Sequence, residues 1–287
     1  MTLASFFFAV MTVSARLGSS EVPWTEVALA RSFFGLAVAI GVARARRVSL
    51  RIENARVAWG RSICGTIAMF TTFYTIGAPE IALGDAASLR STSPVFIALL
   101  APRFLGESSG WRVWVATPIS FAGVVLLAKP SFQLASHLAM LCLVAAFFSA
   151  IAMMFLRRLG ASEAPEAVAA HFSFVATAVM LVAALPGFAA PDGRAWFLLI
   201  GTGVSAGLGQ LAMTRAYALD HAARVGTIGY LGVVMTQILA AWWLGEIPDA
   251  LQLAGSALVV GAGVLLAAAA LRPARRRPPP LTPPSTR

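Results

Sequence analysis

Residues 78–107 read APEIALGDAASLRSTSPVFIALLAPRFLGE, a stretch that is mostly apolar enough to lie in lipid. It nevertheless holds an acid, Asp85, and a guanidinium, Arg90. Four hydroxyl side chains accompany these charges: Ser88, Ser91, Thr92 and Ser93. Because charged side chains are costly inside a membrane, they usually face a water-filled cavity or a charged partner. The stretch therefore predicts either a polar path through a helical bundle or an ion pair that holds the bundle together.

The whole chain has the composition of a membrane protein. Of its 287 residues, 59% are hydrophobic and 12% are charged, and the mean hydropathy is +0.80. Soluble chains carry about 25% charged residues. Since a membrane-crossing helix takes about 20 mainly apolar residues, this length leaves room for many spans and almost no extramembrane domain. A separate soluble active-site domain is excluded.

Ten apolar segments alternate with short turn or charge clusters, which predicts an all-α polytopic protein with ten transmembrane helices. The first segment lacks a basic leader and a cleavage site, so we interpret it as a retained helix. The ten segments fall near residues 1–18, 25–43, 56–76, 80–101, 111–129, 136–156, 166–186, 194–214, 222–244 and 250–271.

Basic residues are distributed unevenly over the connecting segments. With an inside N-terminus, the outside segments carry only Lys129 and Arg194, and the inside segments carry nearly all the other loop arginines. Cytoplasmic loops of membrane proteins collect Lys and Arg, so the pattern predicts a multi-pass protein of the cytoplasmic (inner) membrane with both termini in the cytoplasm. The formal charge of +10 then has a topological cause, and no nucleic-acid partner is expected.

The second half of the chain repeats the first. Residues 104–128, FLGESSGWRVWVATPISFAGVVLLA, align with residues 243–267, WLGEIPDALQLAGSALVVGAGVLLA, through the Leu-Gly-Glu triplets 105–107 and 244–246. We therefore expect two five-helix halves, 1–129 and 136–271, followed by a disordered basic and Pro-rich tail, 272–287. An odd number of spans in each half inverts one half relative to the other, as in many secondary transporters.

These features resemble the drug/metabolite transporter superfamily and its EamA-type repeat. The resemblance is carried by RSFFGL at 31–36, by SPVFIALLAPRFLGE at 93–107 and by GVVLLA at 123–128. It implies a carrier that moves a small metabolite, amino acid or drug by alternating access, without a cofactor. The family motif residues are Gly106, Glu107, Gly245 and Glu246. Ser93 and Pro94 align with Gly232 and Val233, so a proline-broken helix is expected in the first half only.

Ten side chains are candidates for the substrate path, and Pro94 is expected to break the fourth helix beside them. Arg31 and Arg90 lie deep in predicted spans, whereas Arg16 and Arg61 lie close enough to span ends to reach the interface. The excess of arginine over acid favours an anionic or zwitterionic substrate. The path candidates are Trp24, Arg31, Tyr74, Asp85, Ser88, Arg90, Thr92, His171, Gln210 and Gln237.

Several candidates have a structural alternative. Asp85 and Arg90 could instead form interhelical ion pairs, although their spacing does not make them neighbours on one helix face. Gln210 and Gln237 could line the path or join helices. His171 and Asp85 are the titratable candidates for proton coupling, and a lone His is more often a hydrogen-bonded core residue. Gly203 and Gly207 are interpreted as helix-packing residues rather than a nucleotide loop.

Rival functions have weaker support in the sequence. An intramembrane enzyme would need a second group of acids to hold a metal, and none occurs in a predicted span. Cys64 and Cys142 each lie in an apolar run, so neither a disulfide nor a metal site is expected. A channel or a non-transporting membrane scaffold stays an alternative to the carrier. The expected partners are a small-molecule substrate and the lipid bilayer, and a homodimer stays open.

Overall fold

The computed structural model describes residues 1–77, 89–107, 110–128, 137–245 and 248–270. The regular elements of this part of the chain are all helices, with no strand, which confirms the all-α prediction. Its eleven α-helices are α1 (Thr2–Gly18), α2 (Trp24–Ala45), α3 (Ala55–Gly77), α4 (Ser93–Leu105), α5 (Trp111–Ala128), α6 (His137–Leu159), α7 (Pro165–Ala184), α8 (Gly193–Leu219), α9 (Ala222–Ile228), α10 (Leu231–Leu244) and α11 (Ala250–Ala270). A short 3-10 turn, Leu185–Gly187, follows α7.

These helices match the ten predicted spans closely. The ninth span is divided into α9 and α10, and the first half of the fourth span, 80–88, lies outside the described residues. By length and hydropathy, five stretches of the described chain can cross a membrane: Trp24–Ala45, His137–Leu159, Pro165–Gly187, Gly193–Leu219 and Ala222–Trp243. The predicted tail, 272–287, also lies outside the described residues.

The helix contacts follow the internal repeat. The first helix of each half packs against the third helix of the other half, α1 on α8 and α6 on α3. The second helices α2 and α7 pack against each other, and so do the last helices α5 and α11. This exchange of contacts is the pattern expected when two copies are related by a two-fold axis.

The Leu-Gly-Glu triplets end equivalent helices. Gly106 terminates α4 at φ 66°, and Gly245 terminates α10 at φ 69°. Side chains other than hydrogen disfavour this left-handed backbone, and glycine adopts it freely. The alignment of the two triplets therefore reflects the same local geometry in both halves.

Two buried glutamates join α2 and α7 at both ends. Oε1 of Glu26, in the first turn of α2, accepts a 2.6 Å hydrogen bond from the backbone N–H of Ala189, beyond the end of α7. Oε1 of Glu166, in the first turn of α7, accepts a 3.2 Å bond from Nη1 of Arg46, beyond the end of α2. The two helices are therefore antiparallel and connected by equivalent contacts.

A break in the ninth span corrects the expectation that only the first half has a broken helix. The chain turns at 229–230 between α9 and α10, as it turns at 91–92 before α4. The second break uses glycine rather than proline, because Gly226, Gly229 and Gly232 recur every three residues and glycine weakens a helix. A side chain at Gly229 would lie 2.8 Å from the carbonyl oxygen of Gly226.

Glycines on α8 allow α2 to approach closely. A methyl group at Gly203 would overlap the side chain of Phe34 and the carbonyl of Ala30, and one at Gly207 would lie 3.1 Å from Cα of Gly35. These contacts agree with the packing role predicted for the two α8 glycines.

Candidate functional site

A cavity of about 380 Å³ lies where the two broken helices meet. Every described helix except α5 and α11 contributes to its lining. The residues supplied by the two breaks are Ser91, Ser93, Pro94, Gly226, Gly229 and Tyr230. The volume falls within the range of about 300–1,000 Å³ that is usual for small-molecule sites.

The two breaks are joined by one hydrogen bond. The hydroxyl of Tyr230 donates to the backbone carbonyl of Ser91 at 2.8 Å. The Tyr230 side chain is otherwise enclosed by Val124, Val234 and Val259. A carbonyl that the broken fourth helix leaves without its own N–H partner is therefore satisfied by the opposite half.

Two arginines line the cavity, Arg31 from α2 and Arg61 from α3. Arg31 is half-buried, and its Nη1 donates to the sulfur of Met69 at 2.8 Å. Arg61 is 1% exposed, and its Nε and Nη1 have no hydrogen-bond partner in the described structure. Buried guanidinium groups normally form charge-assisted hydrogen bonds, so both side chains keep donors available for a ligand.

Both guanidiniums lie over the ring of Phe172 on α7. Cζ of Arg61 lies 4.0 Å from the ring centroid and Cζ of Arg31 lies 5.8 Å from it. The electrostatic attraction between a cation and an aromatic face supports this geometry. Gly65, one turn after Arg61, leaves the necessary space, because a methyl group there would overlap the Arg61 guanidinium.

Neither Arg31 nor Arg61 forms an ion pair with an acid among the described residues. The contacts of Glu26 and Glu166 join α2 and α7, and Glu163 accepts from the backbone N–H groups of Glu53 and Asn54 before α3. The positive charges of Arg31 and Arg61 also repel each other. Within that part of the chain, the cavity carries an uncompensated basic character that favours an anion.

Arg61 differs from its expected role. Sequence position suggested that it reaches the membrane interface, whereas the side chain is buried against Phe172 and lines the cavity. The distance of a residue from a span end does not indicate which side of the helix faces the bundle. The available signal was Gly65, since a small residue one turn away permits a long side chain to lie along the helix.

The structure brings three sequence candidates together in the cavity: Arg31, Gln210 and Pro94. Gln210 is 4% exposed, and its Nε2 donates to Oγ1 of Thr214 at 3.3 Å. Sequence reasoning missed Tyr230 and all of the lining methionines, because these side chains carry no charge and lie in ordinary apolar runs. Five methionines line the cavity: Met1, Met11, Met69, Met153 and Met213.

The aromatic candidates lie beside the cavity rather than on it. Trp24 makes edge-on contacts with Phe70 and Tyr74 at centroid distances of 5.4 Å and 5.9 Å. The neighbouring Phe73 does line the cavity and is 5% exposed.

The remaining described candidates also lie away from the cavity lining. His171 is hydrogen-bonded to Oγ of Ser62 at 2.8 Å and contacts the ring of Trp59, as its structural alternative predicted. Arg90 lies beside the thiol of Cys142 on α6. Thr92 and Gln237 are half-buried and do not contribute to the lining. Asp85, Ser88 and Glu246 lie outside the described residues.

Glu107 of the first Leu-Gly-Glu triplet joins four helix ends. Its Oε1 accepts from Nε of Arg157 at 2.6 Å, and its Oε2 accepts from the backbone N–H of Ala222 at 2.9 Å. Nη1 of Arg157 in turn donates to the carbonyls of Tyr217 and Ala218 at the end of α8. Neither Glu107 nor Arg157 lines the cavity, so we interpret this junction as structural.

Comparison with known proteins identifies relatives along nearly the whole chain. The pseudopaline exporter CntI of Pseudomonas aeruginosa is 33% identical over 269 residues, covering 92% of this chain and 93% of the exporter. A riboflavin transporter of Vibrio cholerae is 27% identical over 269 residues, covering 91% of this chain and 89% of that protein. An S-adenosylmethionine uptake transporter of Rickettsia felis is 25% identical over 195 residues, covering 68% and 66%.

A solved structure and a family model give the same assignment as these relatives. One solved crystal structure superposes with a TM-score of 0.79 at 19% identity, covering 93% of this chain and 98% of the other. The model of the EamA-like transporter family matches twice, at residues 1–129 and 138–268. The chain therefore belongs to the EamA-like transporter family, and it is a multi-pass membrane transporter of the secondary type rather than an enzyme.

Proposed function

We propose that this carrier moves small anionic or zwitterionic organic molecules across the cytoplasmic membrane, with both termini in the cytoplasm, and binds them in the central cavity. The relatives include an exporter and an uptake transporter, so the proposal concerns the substrate class and not the direction of transport. The two halves, related by their repeat, supply both walls of the cavity.

The main support for an anionic substrate is the pair of cavity arginines, Arg31 and Arg61. Among the described residues, Arg61 has two donor nitrogens without a partner, and Arg31 donates to a thioether, which is a weak acceptor. A carboxylate or phosphate would accept from both and would offset the cost of keeping guanidiniums away from water. A cationic substrate would add to the repulsion that the two arginines already experience.

Thermal unfolding of the purified protein in the presence of simple probes tests the proposal. A ligand that binds the folded state raises its apparent stability by mass action. We expect glutamate and succinate to raise the melting temperature, and putrescine to leave it unchanged. Arg61→Gln should lose the response, and Arg56→Gln should keep it, because Arg56 is exposed on the same helix and away from the cavity.

The opposite result would reject the proposal. It fails if putrescine stabilises the protein as strongly as the anions do, or if Arg61→Gln responds like the unsubstituted chain. A probe that binds is then loaded into proteoliposomes for a counterflow measurement. Saturable flux that is accelerated by probe on the opposite side is the behaviour of a carrier, whereas linear flux without such acceleration would favour a channel.

A further inference from the structure

Methionines give the cavity a second chemical character beside the arginines. Five of the nine methionines in the chain line this one cavity. Met69 accepts from Arg31, whereas Met11, Met153 and Met213 come from three further helices, α1, α6 and α8. The thioether side chain is flexible and polarizable, and its sulfur makes favourable contacts with aromatic rings.

Aromatic side chains add to the apolar part of the cavity lining. Phe8, Phe73 and Phe172 also line the cavity, and the last two are nearly fully buried. A cavity of about 380 Å³ with these walls is larger than an inorganic ion or a short dicarboxylate requires. Its size and lining fit an organic molecule with a substantial apolar part.

The charged side chains of the lining lie on two helices, and the lining residues of α1, α6 and α8 are uncharged. Both arginines lie on α2 and α3, where Phe172 contacts them. The methionines of α1, α6 and α8 carry no charge. On α8, Nε2 of Gln210 donates to the hydroxyl of Thr214, which donates to the backbone carbonyl of Gln210. A ligand that used the whole lining would therefore need an anionic end and an apolar end.

We propose that the substrate is an amphipathic organic anion, with one carboxylate or phosphate group held by Arg31 and Arg61 and an aromatic body packed against Met11, Met153 and Met213. This inference rests on the proposed function and narrows its substrate class. It makes small hydrophilic dicarboxylates weaker ligands than amphipathic anions, and it excludes aromatic cations as good ligands. It also assigns the three methionines as residues that determine specificity.

Matched probes test the contributions of the anionic end and of the aromatic end of the ligand separately. The dissociation constants of 3-(2-naphthyl)propionate, its primary amide and succinate are measured by isothermal titration with the protein in nanodiscs. We expect the naphthyl carboxylate to bind at least about tenfold more tightly than either of the others, a difference of about 1.4 kcal/mol. The amide controls for partitioning of the naphthyl group into lipid. Equal affinity of the amide and the carboxylate overturns the inference.

Substitutions in the two parts of the lining give the second test. Met153→Gln with Met213→Gln should weaken the naphthyl carboxylate about tenfold and leave succinate unchanged, whereas Met153→Leu with Met213→Leu should bind both probes normally. Arg61→Gln should lose both probes, and Arg61→Lys should keep part of the affinity, because lysine retains the charge but not the planar fork. Each variant is first shown to elute as a single folded species.

The outcomes also distinguish this inference from the proposed function. If succinate and the naphthyl carboxylate bind equally well and both require Arg61, the aromatic body is rejected and the anion site stands. If neither probe requires Arg61, both proposals are rejected. If the glutamine double variant, Met153→Gln with Met213→Gln, binds the naphthyl probe like the unsubstituted chain, the assignment of the methionines is rejected.

Discussion

Oε1 of Glu107 and Nε of Arg157 are 2.6 Å apart, and this ion pair connects the end of α4 to the end of α6. The Glu107 side chain is 14% exposed and the Arg157 side chain is 24% exposed. The same carboxylate accepts from the N–H of Ala222, so one side chain stabilises the start of α9 as well.

Removal of this carboxylate should destabilise the bundle. Glu107→Ala loses the ion pair and the bond to Ala222, and leaves Arg157 with its backbone acceptors only. Since hydrogen bonds to charged groups contribute about 1.5–3 kcal/mol when buried, and this pair is partly exposed, we expect a loss of about 1–2 kcal/mol. Thermal unfolding in detergent measures it. Glu53→Gln, at an exposed site, is the control and should melt like the unsubstituted chain.

The helix-ending glycines should respond to substitution in the same direction. Gly106→Ala and Gly245→Ala each force a side chain into a left-handed backbone, which costs about 1–2 kcal/mol. Gly41→Ala is the matched control, because Gly41 lies inside α2 with open space around it and alanine favours a helix by about 1 kcal/mol. Melting temperatures should fall for the first two variants and rise for the third. A rise for all three would contradict the assigned backbone geometry.

The hydrogen bond between the two broken helices can be removed without changing size. Tyr230→Phe withdraws the only described donor to the carbonyl of Ser91, and we expect a loss of about 1 kcal/mol in thermal unfolding. Ser91→Ala is the control, because the acceptor is the backbone carbonyl and stays in place. If both variants lose stability equally, the contribution comes from the Ser91 side chain instead.

The close contact of α8 with α2 predicts a large difference between two glycines on one helix. Gly203→Ala would overlap Phe34 and the Ala30 carbonyl, whereas the nearest atom to a methyl at Gly201 is Oγ of Ser14 at 3.8 Å. Overpacking in a tight interface costs about 1–3 kcal/mol. We therefore expect Gly203→Ala to lower the yield and the melting temperature of the purified protein. Gly201→Ala should be neutral or slightly stabilising, and similar losses for both would contradict the packing.

The inside and outside assignments can be measured by cysteine labelling. In a background with Cys64→Ser and Cys142→Ala, cysteines are placed at Glu53, expected inside, and at Ala190, expected outside. Both positions are exposed in loops. In intact cells, a membrane-impermeant maleimide should label only the cysteine at position 190, and permeabilised cells should show both. Labelling at position 53 in intact cells would reverse the orientation.

Sequence reasoning predicted the features that depend on composition and chain length. Apolar runs fix the number of spans because each helix must cross the hydrocarbon, and the Leu-Gly-Glu repeat revealed Gly106 and Gly245 because a left-handed helix end leaves few residues to choose from. Arg31 was identified because a charge deep in a span requires a cavity or a partner.

Features that depend on the rotation of a helix and on the helices that pack beside it were not predictable in the same way. Arg61 lies near a span end in the sequence, but the rotation of α3 turns it towards Phe172. The second helix break was missed because proline was taken as the signal, whereas Gly226 and Gly229 weaken the ninth span without it. Trp24 and Tyr74 contact each other beside the cavity, which no spacing rule indicates.

The contacts that Glu26 and Glu166 make at the two ends of α2 and α7 have a consequence for motion. The two contacts connect this antiparallel helix pair at both ends, so we expect the pair to resist sliding and to move as one rigid body. Arg31 belongs to α2 and Phe172 belongs to α7, so we expect their spacing to persist while the surrounding helices tilt. Arg31, which receives the ligand, and Phe172, which supports it, would then move together. The transport cycle would change the side of the membrane from which they are accessible and would leave their arrangement unchanged.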